Sequence, residues 1–76
     1  MADLQEIGRL SKTDTTDIVF SVVKNDKSSI PKVDIREFVR SPKYEGFTKS
    51  GLRFAAELLP EFIDICKKLD DATESK

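Results

Sequence analysis

Two short segments of the chain set cations and aromatic rings at alternate positions. In Lys32 to Arg40, Lys-Val-Asp-Ile-Arg-Glu-Phe-Val-Arg, a period close to two sends Lys32, Asp34, Arg36, Phe38 and Arg40 to one side of an extended strand. Val33, Ile35 and Val39 go to the other. Residues 47 to 54, Phe-Thr-Lys-Ser-Gly-Leu-Arg-Phe, repeat the arrangement, with Phe47, Lys49 and Arg53 on one face and Leu52 and Phe54 on the opposite one. The chemistry such a surface offers is binding: the cations meet phosphates, and Phe38, Phe47 and the nearby Tyr44 offer planes on which unpaired bases stack. Stacking contributes roughly 1 to 3 kcal/mol per base whatever the base, and phosphate contacts weaken as salt rises. The same alternation also describes an ordinary solvated sheet face with Phe38 buried against a loop or partner, and periodicity by itself does not separate the two.

Other chemistries find little support. The chain has no histidine and its one cysteine is Cys66, so the usual zinc ligand sets, the Ser/His and Cys/His nucleophile pairs and an intrachain disulfide are all missing. Asp34 with Glu37, or Glu57 with Glu61, could be offered as acid and base. The first pair faces opposite sides of a strand and the second sits on an exposed helical turn, so neither has the apolar pocket that perturbs a pKa. Glu37 falls on the apolar side and is expected to pair with a cation at the sheet edge or across a dimer interface. Cys66 reads as a thiol packed in a core or interface. No enzyme, cofactor or metal is expected.

Seventy-six residues make one small domain, for which a second subunit would add stability. The net charge of −1 conceals an asymmetry. Residues 1 to 23 set Arg9 and Lys12 against Asp3, Glu6, Asp14 and Asp17. Residues 24 to 53 set Lys24, Lys27, Lys32, Arg36, Arg40, Lys43, Lys49 and Arg53 against Asp26, Asp34, Glu37 and Glu45, a balance of +4, and the remaining residues are acidic. Basic charge concentrated in the middle suits a polyanionic partner. The first nine residues lack the layout of a signal peptide, and no apolar run approaches the roughly 20 residues that span a bilayer. The expected location is intracellular, cytoplasmic or nucleoid in a bacterial or phage setting.

The elements that must position these residues are mostly strands. Leu4, Ile7 and Leu10 lie three apart, but Gly8 sits among them and the segment is short, so it reads as a strand. Ile18 to Val23 is rich in β-branched and aromatic residues, and Lys24 to Ser29 reads as the loop after it. Pro31 opens the next strand, and Ser41 to Gly46 reads as a connection. The last element, with Leu58, Leu59, Phe62, Ile63, Ile65, Cys66 and Leu69, has helical spacing, starts near Leu58 or Leu59 after a looser turn from Ala55, and tolerates Pro60 in its first turn. Lys67 and Lys68 would lie near its end, suiting the dipole, and residues 70–76 read as a polar, frayed tail beyond a binding domain of residues 1–69. Its wide apolar stripe suits either a single sheet that covers all of it or a sheet on one side and a second chain on the other.

Asp-Ile-Arg-Glu followed by an aromatic at Asp34 to Phe38, then Thr-Lys-Ser-Gly-Leu-Arg-Phe at Thr48 to Phe54 leading into an amphipathic helix, resembles the positive cofactor 4-like transcriptional coactivator family. Ile7-Gly8-Arg9-Leu10 is similar to that family's opening strand, and the likeness runs from about residue 6 to residue 69. The chain resembles the short bacterial or phage-type members, which lack a serine-rich acidic arm. The resemblance implies an α+β fold, ββββα, with a curved four-stranded antiparallel sheet and one C-terminal helix. It also implies homodimerisation through the helices and adjoining strand, and binding of single-stranded or melted DNA in support of transcription regulation, replication or repair. By position, the family's nucleic-acid contacts fall on Arg9, Arg36 and Lys49, while Lys32 and Arg40 are added from facing alone. Val39, Ser50 and Ser11 stand where a large aromatic and two basic residues are often found, which implies weaker binding. RNA as the strand, transcription or replication proteins as further partners, and a protein-interaction adaptor without nucleic-acid binding are left open.

Overall fold

The computed structural model describes residues 2–25 and 28–74. Asp26 and Lys27 of the expected loop, and Ser75 and Lys76 of the expected tail, lie outside them. Four strands, β1 (Ala2–Ser11), β2 (Thr16–Asn25), β3 (Ser28–Ser41) and β4 (Tyr44–Ala55), pair antiparallel in sequence order as one curved, unclosed sheet. A 3₁₀ turn at Ala56–Leu58 leads into the single helix α1 (Leu59–Glu74). The fold is therefore the expected ββββα.

Several boundaries differ from the sequence reading, each for a local reason. The expected loop after Val23 gives way to strand on both sides, because β2 and β3 continue pairing until Asn25 lies opposite Ser28. The expected connection from Ser41 to Gly46 shrinks to Pro42 and Lys43, with strand resuming at Tyr44. Pro42 supplies the φ a tight turn needs, and the Ser41 hydroxyl accepts the Tyr44 N–H at 3.1 Å while donating to the Tyr44 carbonyl at 3.0 Å. The helix continues past Asp70 to Glu74 instead of ending in a polar tail. Lys67 and Lys68 thus sit inside it, and its last turn carries acids, which the helix dipole disfavours.

The registers fix the two faces. One carries three rows read across the strands: Glu6, Ser21, Asp34, Arg53; then Arg9, Val19, Arg36, Gly51; then Ser11, Asp17, Phe38, Phe47. The other carries Ile18, Phe20, Val22, Val33, Ile35, Val39, Leu52 and Phe54, as the alternation predicts. Bulges at Glu6/Gly8, Val23/Asn25 and Arg36/Phe38 interrupt the ladders and add bend to the sheet.

The core is slight. Among the described residues only Val19 and Val23 are buried apolar side chains, and both lie on the polar face, flanked there by the long side chains of neighbouring strands. On the apolar face Ile18, Phe20, Val22, Val33, Ile35 and Phe54 are only half-buried, and no residue of α1 is buried. The helix is tied down chiefly at its start, where Phe54 and Phe62 meet with ring centroids 5.1 Å apart. Leu58, Ile63, Ile65 and Leu69 are exposed, and so is Cys66, which is therefore not packed in a core of the single chain.

Candidate nucleic-acid interface

Two buried carboxylates organise the polar face. Asp17, on β2, takes a hydrogen bond from Arg9 Nη1 at 2.9 Å and from Arg40 Nη1 at 2.5 Å, joining β1 to β3 across the strand that carries it. Asp34, on β3, takes Arg36 Nη2 at 2.9 Å and Nε at 3.2 Å, and Arg53 Nε from β4 at 3.4 Å. Each aspartate thus stands between two arginines. Burying a carboxylate is costly unless it is paired and hydrogen-bonded, and both are only a few per cent exposed, so the arginines are what makes their position tenable.

Further contacts fix the guanidinium groups. Glu6, placed beside Arg9 by the β1 bulge, accepts Arg9 Nε and Nη2, each at 2.8 Å. Arg36 Nη1 reaches the Thr48 carbonyl at 3.2 Å and Arg40 Nη2 the Asp14 carbonyl at 3.1 Å. Gly51 makes room for Arg36: a Cβ there would lie 2.5 Å from the Ile35 carbonyl oxygen and 2.9 Å from Arg36 Cα. The hydrogen bonds from Arg9 hold the carboxyls of Glu6 and Asp17 below their ordinary range, Asp17 against the opposing effect of burial. The Arg9 guanidinium is raised, first by Glu6 and then by Asp17, and that of Arg36 is raised by Asp34.

The aromatic pair lies in the next row. Phe38 and Phe47 meet edge to face, centroids 5.1 Å apart, and Arg9 sits 5.4 Å from the centre of the Phe38 ring. Phe38 is half-buried, whereas Phe47 is 37% exposed. Tyr44 is spent locally, its hydroxyl donating to the Phe47 carbonyl.

Of the residues expected to form a site, Arg9, Arg36, Phe38, Arg40, Phe47 and Arg53 therefore gather on one face. Lys32 lies at its end, opposite Val23 and Ala55, and Lys49 sits exposed in the β4 bulge; neither makes an ion pair among the described residues. Glu37 is on the opposite face, paired at 2.7 Å with Lys12 at the sheet's end, as its place in the alternation suggests. Sequence reasoning missed Glu6 and Asp17 altogether and weighed Asp34 only as an acid. The available signals were the spacing of three between Glu6 and Arg9, and an acid at Asp17 in step with Val19, Ser21 and Val23.

The face can present cationic, planar groups in fixed positions to an extended anion. Among the described residues no helix is long and apolar enough to cross a membrane. Comparison with family models, curated proteins and solved structures found no match.

Proposed function

We propose that this chain is a homodimeric single-stranded DNA-binding module, similar to the short members of the positive cofactor 4-like family, that holds melted DNA inside the cell during transcription, replication or repair. The observation that carries the reading is the meeting of four arginines with the Phe38/Phe47 pair on one face, their geometry set in advance by Asp17 and Asp34. A positively charged face beside a stacking plane supplies the two components of sequence-tolerant single-strand binding. Action is by binding, without turnover.

The dimer is supported by the amount of surface left open. The chain exposes 6078 Å², against about 4,700 Å² expected for a compact monomer of its mass. Its radius of gyration is 14.5 Å, where a compact chain of this length has about 11.4 Å. An excess of about 1,400 Å² per chain is ample for a stable two-fold interface. Exposed Leu58 and Ile65, with the open hollow they line with Phe54 and Phe62, support a helix-side interface.

The test is fluorescence anisotropy with labelled single-stranded and duplex oligonucleotides of equal length at two salt concentrations, for the wild type and for Arg36→Ala with Lys49→Ala. The expected result is preference for the single strand, weakened by salt and by the double substitution. A folded protein that binds neither oligonucleotide at low salt would overturn the reading. One observation favours a second reading, a protein-interaction adaptor: the arginines are already paired with acids of their own chain. Binding that ignores salt would point there.

A further inference from the structure

The cations of the polar face fall into two groups by what their nitrogens already do. Arg9 commits all three nitrogens to Glu6 and Asp17, and Arg36 commits all three to Asp34 and the Thr48 carbonyl, leaving its side chain 22% exposed. Arg40 commits both terminal nitrogens. Arg53, by contrast, touches Asp34 through Nε alone at 3.4 Å, is 47% exposed, and has no hydrogen bond at either terminal nitrogen among the described residues. Lys32 and Lys49 are exposed and unpaired among those residues. The uncommitted cations cluster on one side: Arg53 and Lys49 belong to β4, and Lys32 pairs in register with Ala55. Between Arg53 and Lys49, Gly51 leaves the strand bare, and Phe47 follows beyond the bulge.

Resting on the single-strand reading, we propose that the bound strand runs along β4, with Lys32, Arg53 and Lys49 meeting phosphates and Phe47 offering the open stacking plane, while Arg9, Arg36 and Arg40 are positioning residues. For a committed arginine to reach a phosphate, it must first break charge-assisted hydrogen bonds and leave a buried carboxylate without its partner. An exposed lysine gives up only water and counterions. Phe38 is covered by Arg9 and braced by Phe47, so it supports the open ring instead of replacing it. Asp17 and Asp34 thereby decide which cations the ligand feels.

The salt dependence of binding to labelled oligothymidine separates contact from positioning. Replacing Lys32, Lys49 or Arg53 by Ala flattens the slope of log affinity against log salt by about 0.7 for each subunit engaged, the value for one lost phosphate contact on a single strand. Arg9→Gln and Arg40→Gln lower affinity by the same factor at every salt concentration and leave the slope in place. Asp17→Asn, which takes the carboxylate away from Nη1 of both Arg9 and Arg40 while their bonds to Glu6 and to the Asp14 carbonyl remain, leaves more of their charge to the ligand and steepens it. The proposal is overturned if folded Arg9→Gln or Arg40→Gln flattens the slope as Arg53→Ala does, or if the triple Lys32, Lys49, Arg53 variant keeps the wild-type slope. Should the arginine variants fail to fold, Asp17→Asn decides, an unchanged slope overturning the proposal. A wild type that binds no oligothymidine removes the single-strand reading itself, a distinct result from binding with the wrong slopes.

Discussion

The two faces of the sheet are finished to different degrees. On the polar face each buried charge has its partner, the buried valines lie there, and Gly51 lets β3 and β4 approach closely. On the apolar face most side chains are half-covered, and the 3₁₀ turn and α1 leave Leu58, Ile63, Ile65 and Leu69 in the open. A face whose buried charges are satisfied can wait in water for a polar ligand. A face with exposed apolar groups at helical spacing gains free energy by meeting another apolar surface.

The contrast can be broken from either side. The largest effect is expected on the polar face at Gly51, where even one added carbon meets backbone at 2.5 Å. Gly51→Val should destabilise by about 3 kcal/mol or prevent folding, whereas Gly8→Ala, with nothing within 4 Å of the added carbon, should change urea unfolding little. Next comes the apolar face. Ile65→Asp should leave the secondary structure of the chain intact but raise the dissociation constant of the proposed dimer about 100-fold, a loss of about 2.7 kcal/mol measurable by sedimentation equilibrium. An unchanged association state would mean that the helix does not bear the interface.

Acidification sharpens the contrast further, because the depressed carboxyls lie on the polar face. Asp17 and Glu6 have folded-state pKa values below their ordinary 3.8 and 4.5, so the stability they contribute is fully present above that range and is lost as pH falls through the folded values. Thermal unfolding should therefore drop on going below about pH 4, and Asp17→Asn should flatten that part of the profile. The smallest effect is expected at the hairpin end. Tyr44→Phe removes one hydrogen bond to the Phe47 carbonyl and should cost about 0.5 to 1.5 kcal/mol in urea unfolding.

What the sequence could and could not convey follows from the range of each interaction. The alternation from Lys32 to Arg40 reports facing within one strand, and it placed Arg36 and Phe38 opposite Ile35 and Glu37 correctly. Local turn chemistry indicated where the chain reverses, but strand ends depend on how far two ladders stay paired, so the hairpins came out longer than turn residues suggested. The sharing of Asp17 by Arg9 and Arg40 depends on the register between three strands, which no single segment encodes. The approach of Phe38 to Phe47 is likewise set by the bulge at Arg36/Phe38. Helical spacing revealed the stripe on α1 but not that so much of it would remain uncovered.

The order of the strands in the sheet is also their order in the chain. Every ladder therefore closes a short loop between consecutive segments, and the entropy of bringing distant parts of the chain together is small. Such a sheet can assemble hairpin by hairpin as the chain lengthens, each strand templated by the one before it. With the helix arriving last, the slow, concentration-dependent step in forming the proposed dimer would be the meeting of two such chains.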